Sequence, residues 1–240
     1  MIRLGVTGTD TGVGKTVVTC ALGAALRARA LNVVAMKPIE TGVSPNDPSR
    51  DGARIARAAG NSKPLSQTAP VTLTRPVAPL IAAREDGVII DLAALDEIIA
   101  NASNGADVLI VEGAGGLLVP VTPTESFAEL FRRWSLDVVV VAANRLGVLN
   151  HTMLTLRTAA TSGLTVRAVV LTQLTSAAAD ESASGNLASL RELIPSIPVV
   201  ALPWTRNVDD LQGLAELAED CGVVDLVLLS AAPSFVRRKR

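Results

Sequence analysis

Short apolar runs, unbroken except at Arg3, punctuate this chain: Ile2 to Val6, Val33 to Met36, Val108 to Val111, Val138 to Ala142, Ala168 to Leu171 and Val199 to Leu202. They are mostly β-branched and lack the apolar–polar alternation of a half-exposed strand, so they predict strands covered on both faces. Between them lie stretches of helical period, at Lys15 to Arg29, Leu92 to Ala102, His151 to Thr161, Leu187 to Leu193 and Val208 to Ala218. Strand and helix in alternation predict an α/β fold, a mostly parallel sheet with helices on both faces. The stretch from Thr41 to Pro79 breaks the rhythm, being rich in Pro, Ser, Asn and Thr with one helical segment from Asp51 to Ala59. Because it follows a strand, at the end where doubly wound sheets bind ligands, it predicts site-forming loops rather than a plain surface excursion. No repeat or linker divides the chain. Residues 1–236 read as a single domain, and 237–240 (Arg237, Arg238, Lys239 and Arg240) as a solvated basic tail.

Composition narrows the function. The chain has 240 residues, 49% hydrophobic but only 2% aromatic, which predicts an aliphatic core rather than one held by aromatic anchors. With 22 basic against 23 acidic side chains and no Tyr, it has neither the charge footprint nor the stacking platforms of a nucleic-acid binder. Neither of the two cysteines, Cys20 and Cys221, lies in a metal-ligand spacing, and cytoplasmic residence follows. The first apolar run is shorter than the roughly 7 to 15 residues of a cleavable leader. Mean hydropathy is +0.40, yet no apolar run reaches the roughly 18 residues of a membrane span, so no membrane partner is expected.

The first strand runs into Gly8-Thr-Asp-Thr-Gly-Val-Gly14-Lys15-Thr16 and then a helix. Strand, glycine-rich turn and helix form the context of a phosphate-binding loop, in which backbone N–H groups and the helix N-terminus face a polyphosphate. Lys15 would reach the β and γ phosphates and the Thr16 hydroxyl would ligate Mg²⁺. The spacing is unusual, with five residues between Gly8 and Gly14 instead of four. A chance Gly-Lys-Thr in a turn is the plain alternative.

Mg²⁺ beside a triphosphate calls for carboxylates. Glu112 ends the buried run Val108 to Val111 and precedes Gly113-Ala114-Gly115-Gly116, where a charge is costly unless a cation or donor meets it; the plain alternative is a strand-end Glu facing water. Asp51, read on spacing alone, is an N-cap before it is a ligand. Lys37 ends the second strand just before Pro38, which stops that strand and leaves the ammonium at the sheet edge of the phosphate loop. A second cation there suggests an anionic co-substrate, against the alternative of a solvated strand-end Lys. His151, the only histidine, stands where a helix begins with Asn150 as candidate N-cap. A packed or capping imidazole suits it better than a catalytic base.

In order along the chain these segments resemble the dethiobiotin synthetases. The matching pieces are Gly8 to Thr16 with its extra loop residue, Lys37-Pro-Ile-Glu-Thr41-Gly, Asp51, Val111-Glu-Gly-Ala-Gly-Gly-Leu-Leu-Val-Pro120, Gly147-Val-Leu-Asn-His-Thr-Met-Leu-Thr155 and Pro203-Trp204. The resemblance implies a P-loop NTPase-like fold. It also implies ATP- and Mg²⁺-dependent joining of 7,8-diaminononanoate and CO2 to give dethiobiotin, ADP and phosphate, through a carbamate and a carbamic–phosphoric anhydride. It reassigns Asp51 from cap to ligand, so that Thr16, Asp51 and Glu112 become the metal set. It gives catalytic roles to Lys37, Lys15 and Thr11, and nucleotide contacts to Gly12, Val13, Gly14, Lys15, Thr16, Val17, Asp51, Glu112, Gly113, Ala114 and Gly115. Thr41 and Lys37 would touch the substrate, and Gly147, Val148, Leu149 and Asn150 would receive its carboxylate across a homodimer interface.

The chain departs from the resemblance at the base. Where well-studied members read adenine with an Asn, this chain has Thr172-Gln173-Leu174. Gln173, Pro203, Trp204, Thr205 and Asp210 become the candidate base contacts, and relaxed nucleotide choice is expected. The main rival is a P-loop switch or partitioning ATPase. Its signature lysine early in the loop is replaced here by Asp10 and Thr11.

Overall fold

A computed structural model describes residues 1–45, 47–61, 63–176 and 183–229. The elements run β1 (Ile2–Gly8), α1 (Lys15–Ala28), β2 (Val33–Met36), β3 (Ile39–Thr41), α2 (Asp51–Ala58), α3 (Leu65–Thr68), β4 (Val71–Leu73), α4 (Pro79–Asp86) and α5 (Leu92–Ser103). They continue β5 (Val108–Glu112), α6 (Phe127–Arg133), β6 (Asp137–Ala143), α7 (Val148–Thr161), β7 (Val166–Thr172), α8 (Ala183–Leu193), β8 (Val199–Leu202), α9 (Leu211–Asp220) and α10 (Val223–Leu228).

Each of the six predicted apolar runs is a strand, and together they make one parallel sheet in the order β2-β5-β1-β6-β7-β8. The pleat explains why these runs show no alternation. Successive residues of β5 and β6 go to opposite faces, Leu109, Val111, Val138 and Val140 to one core and Val108, Ile110, Val139 and Val141 to the other. Helices α5, α6, α7 and α8 cover the first face, and α1, α2, α9 and α10 the second. From β1 the chain crosses to β2 on one side, and from β5 it crosses β1 to β6 on the other. The ligand-binding crevice therefore opens at the C-terminal ends of β1 and its neighbours.

Three expectations need correction. The core does hold aromatic anchors: Phe127 and Phe131 of α6 are buried edge to face at 6.0 Å, and the Trp134 indole donates to Asp96 Oδ1 at 2.7 Å. Gly5 admits Phe131, since a Cβ there would come within 2.7 Å of its ring. The stretch from Thr41 to Pro79 is more ordered than loops, carrying α3 and β4 besides α2, with β4 paired in parallel to β3. Helix α7 begins at Val148 rather than His151, because Gly147, at φ 91°, takes the N-cap position assigned to Asn150. The basic tail 237–240 lies outside the described residues, among which no helix is long and apolar enough to cross a membrane.

Candidate active site

β1 delivers the glycine-rich loop to the crevice, where its neighbours fix both sides of it. Gly8 N–H donates to Gly115 O at 3.1 Å, and Thr9 N–H to Val141 O at 2.9 Å. Gly14, at φ 89°, caps α1 without a side-chain hydrogen bond, so the first N–H groups of a 14-residue helix face the crevice. Behind it the Thr172 hydroxyl donates to Val13 O at 2.7 Å, bracing the loop from β7. Lys15 folds back over the loop, its Nζ 3.1 Å from Asp10 O. Burial holds its ammonium below the usual lysine range, with Glu112 opposing and Lys37 adding to that effect.

A compact charge cluster stands beside this loop. Glu112 is 0% exposed. The Thr16 hydroxyl donates to its Oε1 at 3.0 Å and the Thr19 hydroxyl to its Oε2 at 2.7 Å. Lys37, 8% exposed, places Nζ 2.9 Å from Glu112 Oε1 and 2.5 Å from Asp51 Oδ2. The water-facing alternatives for Glu112 and Lys37 therefore fall away. Burial works against the Lys37 ammonium, but the charges of Glu112 and Asp51 and its hydrogen bonds to both prevail, so its pKa lies above the usual lysine value. Burial likewise pushes Asp51 up, and the charge and hydrogen bond of Lys37 more than reverse it. The two carboxylates thus favour the charged form of Lys37. Arg50, not Asp51, is the N-cap residue of α2; Asp51 is its first helical residue, with the carboxylate turned to Lys37.

Among the described residues no group of three or more His, Cys, Asp and Glu side chains could enclose a metal by itself. Two carboxylates and a hydroxyl converging beside a phosphate loop instead suit a hard cation that keeps water and phosphate oxygens as its other ligands. Asp51, Glu112 and Thr16 fit Mg²⁺ in that sense.

A cavity of about 530 Å³ spans these groups. Of the candidate residues, Thr11, Gly12, Gly14, Lys15, Thr16, Val17, Lys37, Thr41, Asp51, Glu112, Ala114 and Gly115 all line it. Val13 and Gly113 are buried behind them. Gly115, at φ 69°, lets the β5 loop pass under Val119, where a Cβ would stand 2.7 Å from Cγ2. Pro76, Val77, Pro79, Val119 and Leu174 add an apolar wall that the sequence did not announce. A second cavity of about 230 Å³ shares Gly14, Val17 and Leu174 with the first. It brings together Gln173, Pro203, Trp204 and Thr205. Asp210 stands apart from that group as the N-cap of α9, accepting from Gly213 N–H at 3.0 Å.

Gly147, Val148, Leu149 and Asn150 line neither cavity of their own chain. His151 is exposed on the first turn of α7, neither packed nor capping. Thr19 escaped sequence reasoning because a Thr one turn beyond the loop lysine looks like any buried helical residue. Only its register on α1, three residues after Thr16, could have pointed to Glu112.

Sheet order, glycine-rich loop and convergent charges define a P-loop NTPase-like α/β protein. Among solved structures the fold is similar to the Pyrococcus horikoshii septum site-determining protein MinD, solved with Mg-ADP (TM-score 0.55, 16% identity, 94% of this chain and 98% of that one). It is also similar to chloroplast FtsY from Physcomitrella patens (TM-score 0.51, 19% identity, 90% and 64%). At such identities the likeness shows the fold alone.

The AAA domain family matches residues 3–212. The ATP-dependent dethiobiotin synthetase BioD of Anaeromyxobacter sp. (strain K) is 42% identical over 208 residues, 87% of this chain and 92% of that protein. That of Aquifex aeolicus is 36% identical over 209 residues, 84% and 92%. The chain belongs to the ATP-dependent dethiobiotin synthetase family.

Proposed function

We propose that this chain closes the ureido ring of dethiobiotin from 7,8-diaminononanoate, CO2 and ATP with Mg²⁺, releasing ADP and phosphate. The observation that carries the reading is Lys37, held between Asp51 and Glu112 in the cavity of the phosphate loop. A loop that only bound nucleotide would not need a second buried ammonium there. The reaction, in contrast, brings two anions together.

One substrate amine adds to CO2, forming a carbamate and releasing a proton. A carbamate oxygen bonds to the γ-phosphorus as the bond to ADP breaks. The second amine then attacks the carbonyl carbon, loses its proton and closes the ring as phosphate leaves. Lys15 and Lys37 offset the repulsion between carbamate and triphosphate, and the loop N–H groups stabilise the transferring phosphoryl. Bound Mg²⁺ would be held by Thr16, Asp51 and Glu112 and would neutralise phosphate charge. The apolar wall of Val77, Val119 and Leu174 suits an aliphatic diamine. As the resemblance implies, the substrate carboxylate goes to Gly147–Asn150 of a second copy in a homodimer, and that segment lines neither cavity of its own chain. Exposed Leu118, Leu146 and Leu154 supply apolar surface for such a contact. The setting is the cytoplasm.

A phosphate-release assay tests this. Release should require the diamine and bicarbonate together. Release that ignores them and responds instead to a protein or DNA partner would transfer the chain to the switch ATPases.

A further inference from the structure

Helix α2 carries Asp51 into the site but begins without a cap of its own. Its N-cap residue is Arg50, a type that offers no side-chain acceptor, and it makes no capping hydrogen bond. The missing acceptor comes from β3: Glu40 Oε1 takes the Gly52 N–H at 2.8 Å. Gly52 makes this possible, because a Cβ there would lie 2.7 Å from Glu40 Oε2 and 2.6 Å from the Ala69 methyl.

Arg50 is clasped in turn. Its Nη1 donates to Thr72 Oγ1 at 2.5 Å, and its Nε lies 3.5 Å from Glu40 Oε2. Glu40 is 1% exposed and Arg50 5%. Those facing atoms, Glu40 Oε2 and Arg50 Nε, have no hydrogen-bond partner among the described residues. A buried pair with such loose geometry is a poor stabilising device, since apolar residues of the same volume usually do as well or better. Neither side chain lines the cavity, yet each is adjacent in sequence to a residue that does, Glu40 to Thr41 and Arg50 to Asp51.

We propose that Glu40 and Arg50 are positioning residues: Glu40 caps α2 from β3 and, with Arg50, fixes the first residue of that helix so that the Asp51 carboxylate meets Lys37 and the cation of a bound nucleotide. The role rests on the function proposed above only through nucleotide and Mg²⁺. It therefore makes a demand independent of the diamine: the pair acts on the Mg²⁺-dependent part of nucleotide affinity and not on the loop's grip on phosphate.

Calorimetric titration of ADP into the full chain, with Mg²⁺ and with EDTA, reads this difference. In Glu40→Ala the gain in affinity that Mg²⁺ gives should shrink about 10- to 100-fold, as for other residues behind a metal ligand, while the EDTA affinity stays unchanged. Glu40→Gln keeps an acceptor for Gly52 N–H and should recover most of the gain. If Glu40→Ala does not fold, Thr72→Val decides: it removes only the hydroxyl partner of Arg50 and should lower the Mg²⁺ gain at unchanged EDTA affinity. A full Mg²⁺ gain in the decisive variant, or an equal loss with and without Mg²⁺, overturns the positioning role. No Mg²⁺ gain in the unmodified chain overturns instead the nucleotide–metal reading beneath it.

Discussion

The two halves of the cleft are built differently. On the phosphate side, Lys37 follows directly after β2 rather than ending it, Asp51, Glu112, Thr16 and Thr19 come from α2, β5 and α1, and the five meet one another within 3.0 Å. Each carries at least one contact to another member of the cluster, and loss of Thr19 would leave the buried Glu112 Oε2 without its donor. On the base side, Trp204 and Thr205 are half-buried, Pro203 is exposed, and the polar candidate Asp210 is engaged in capping α9. Positions on the first side are over-determined by charge, whereas the second offers surface and few directed donors. Chemistry should therefore be brittle to mutation and nucleotide identity forgiving.

The contrast breaks first at Lys37. Lys37→Ala removes the cation shared by Asp51 and Glu112, and turnover should fall by about 10²- to 10³-fold or more, with ADP still binding through the loop. Near-normal turnover in a single-turnover phosphate-release experiment would end the idea that this ammonium serves the reaction.

A smaller effect belongs to Thr19. Thr19→Val leaves Glu112 Oε2 without its donor in a fully buried place, which should cost about 1–3 kcal/mol of stability by thermal or denaturant unfolding. Turnover should fall about tenfold, as when the support of a metal ligand is lost. Thr19→Ser restores the hydroxyl and should recover both. Equal activity in the Val and Ser variants would mean that Glu112 orients itself.

How far the sequence reveals these sites depends on whether a signal is local. The six long strands are plain because both faces of the sheet are covered, which leaves unbroken apolar runs. β3 and β4 span three residues each, too few for any period to show. Helix α6 carries a local trace in its capping box, where the Ser126 hydroxyl and the Glu129 carboxylate each serve the other's backbone, but an aromatic content of 2% over the whole chain hides that two of its residues anchor the core. At Asp51 the local rule misleads, since an acid before a helical run reads as a cap. Here the cap is supplied from Glu40, eleven positions upstream of Asp51, and no local spacing encodes that. Glu112 and Lys37 were legible because a charge ending a buried strand conflicts with its surroundings. Their shared geometry with Thr19 exists only after the sheet has brought β2, β5 and α1 together.

The smallest predicted effect is also the sharpest probe of the base side. The Thr172 hydroxyl is committed to Val13 O and cannot read a base. Gln173, half-buried, carries both a donor and an acceptor on one rotatable amide, so it can face the edge of adenine, cytosine or guanine alike. Trp204 adds an aromatic face, which stacks on any base with little preference. Strong rejection of a wrong ligand requires buried polar groups that it would leave unpaired, and this pocket offers few. Turnover with CTP or GTP should therefore stay within about tenfold of that with ATP, the scale set by weak, non-polar discrimination. Comparing kcat/KM for the three nucleotides at saturating diamine and bicarbonate checks it. A hundredfold preference for ATP would show that the base side is as closely determined as the phosphate side, and the contrast between the two halves would be lost.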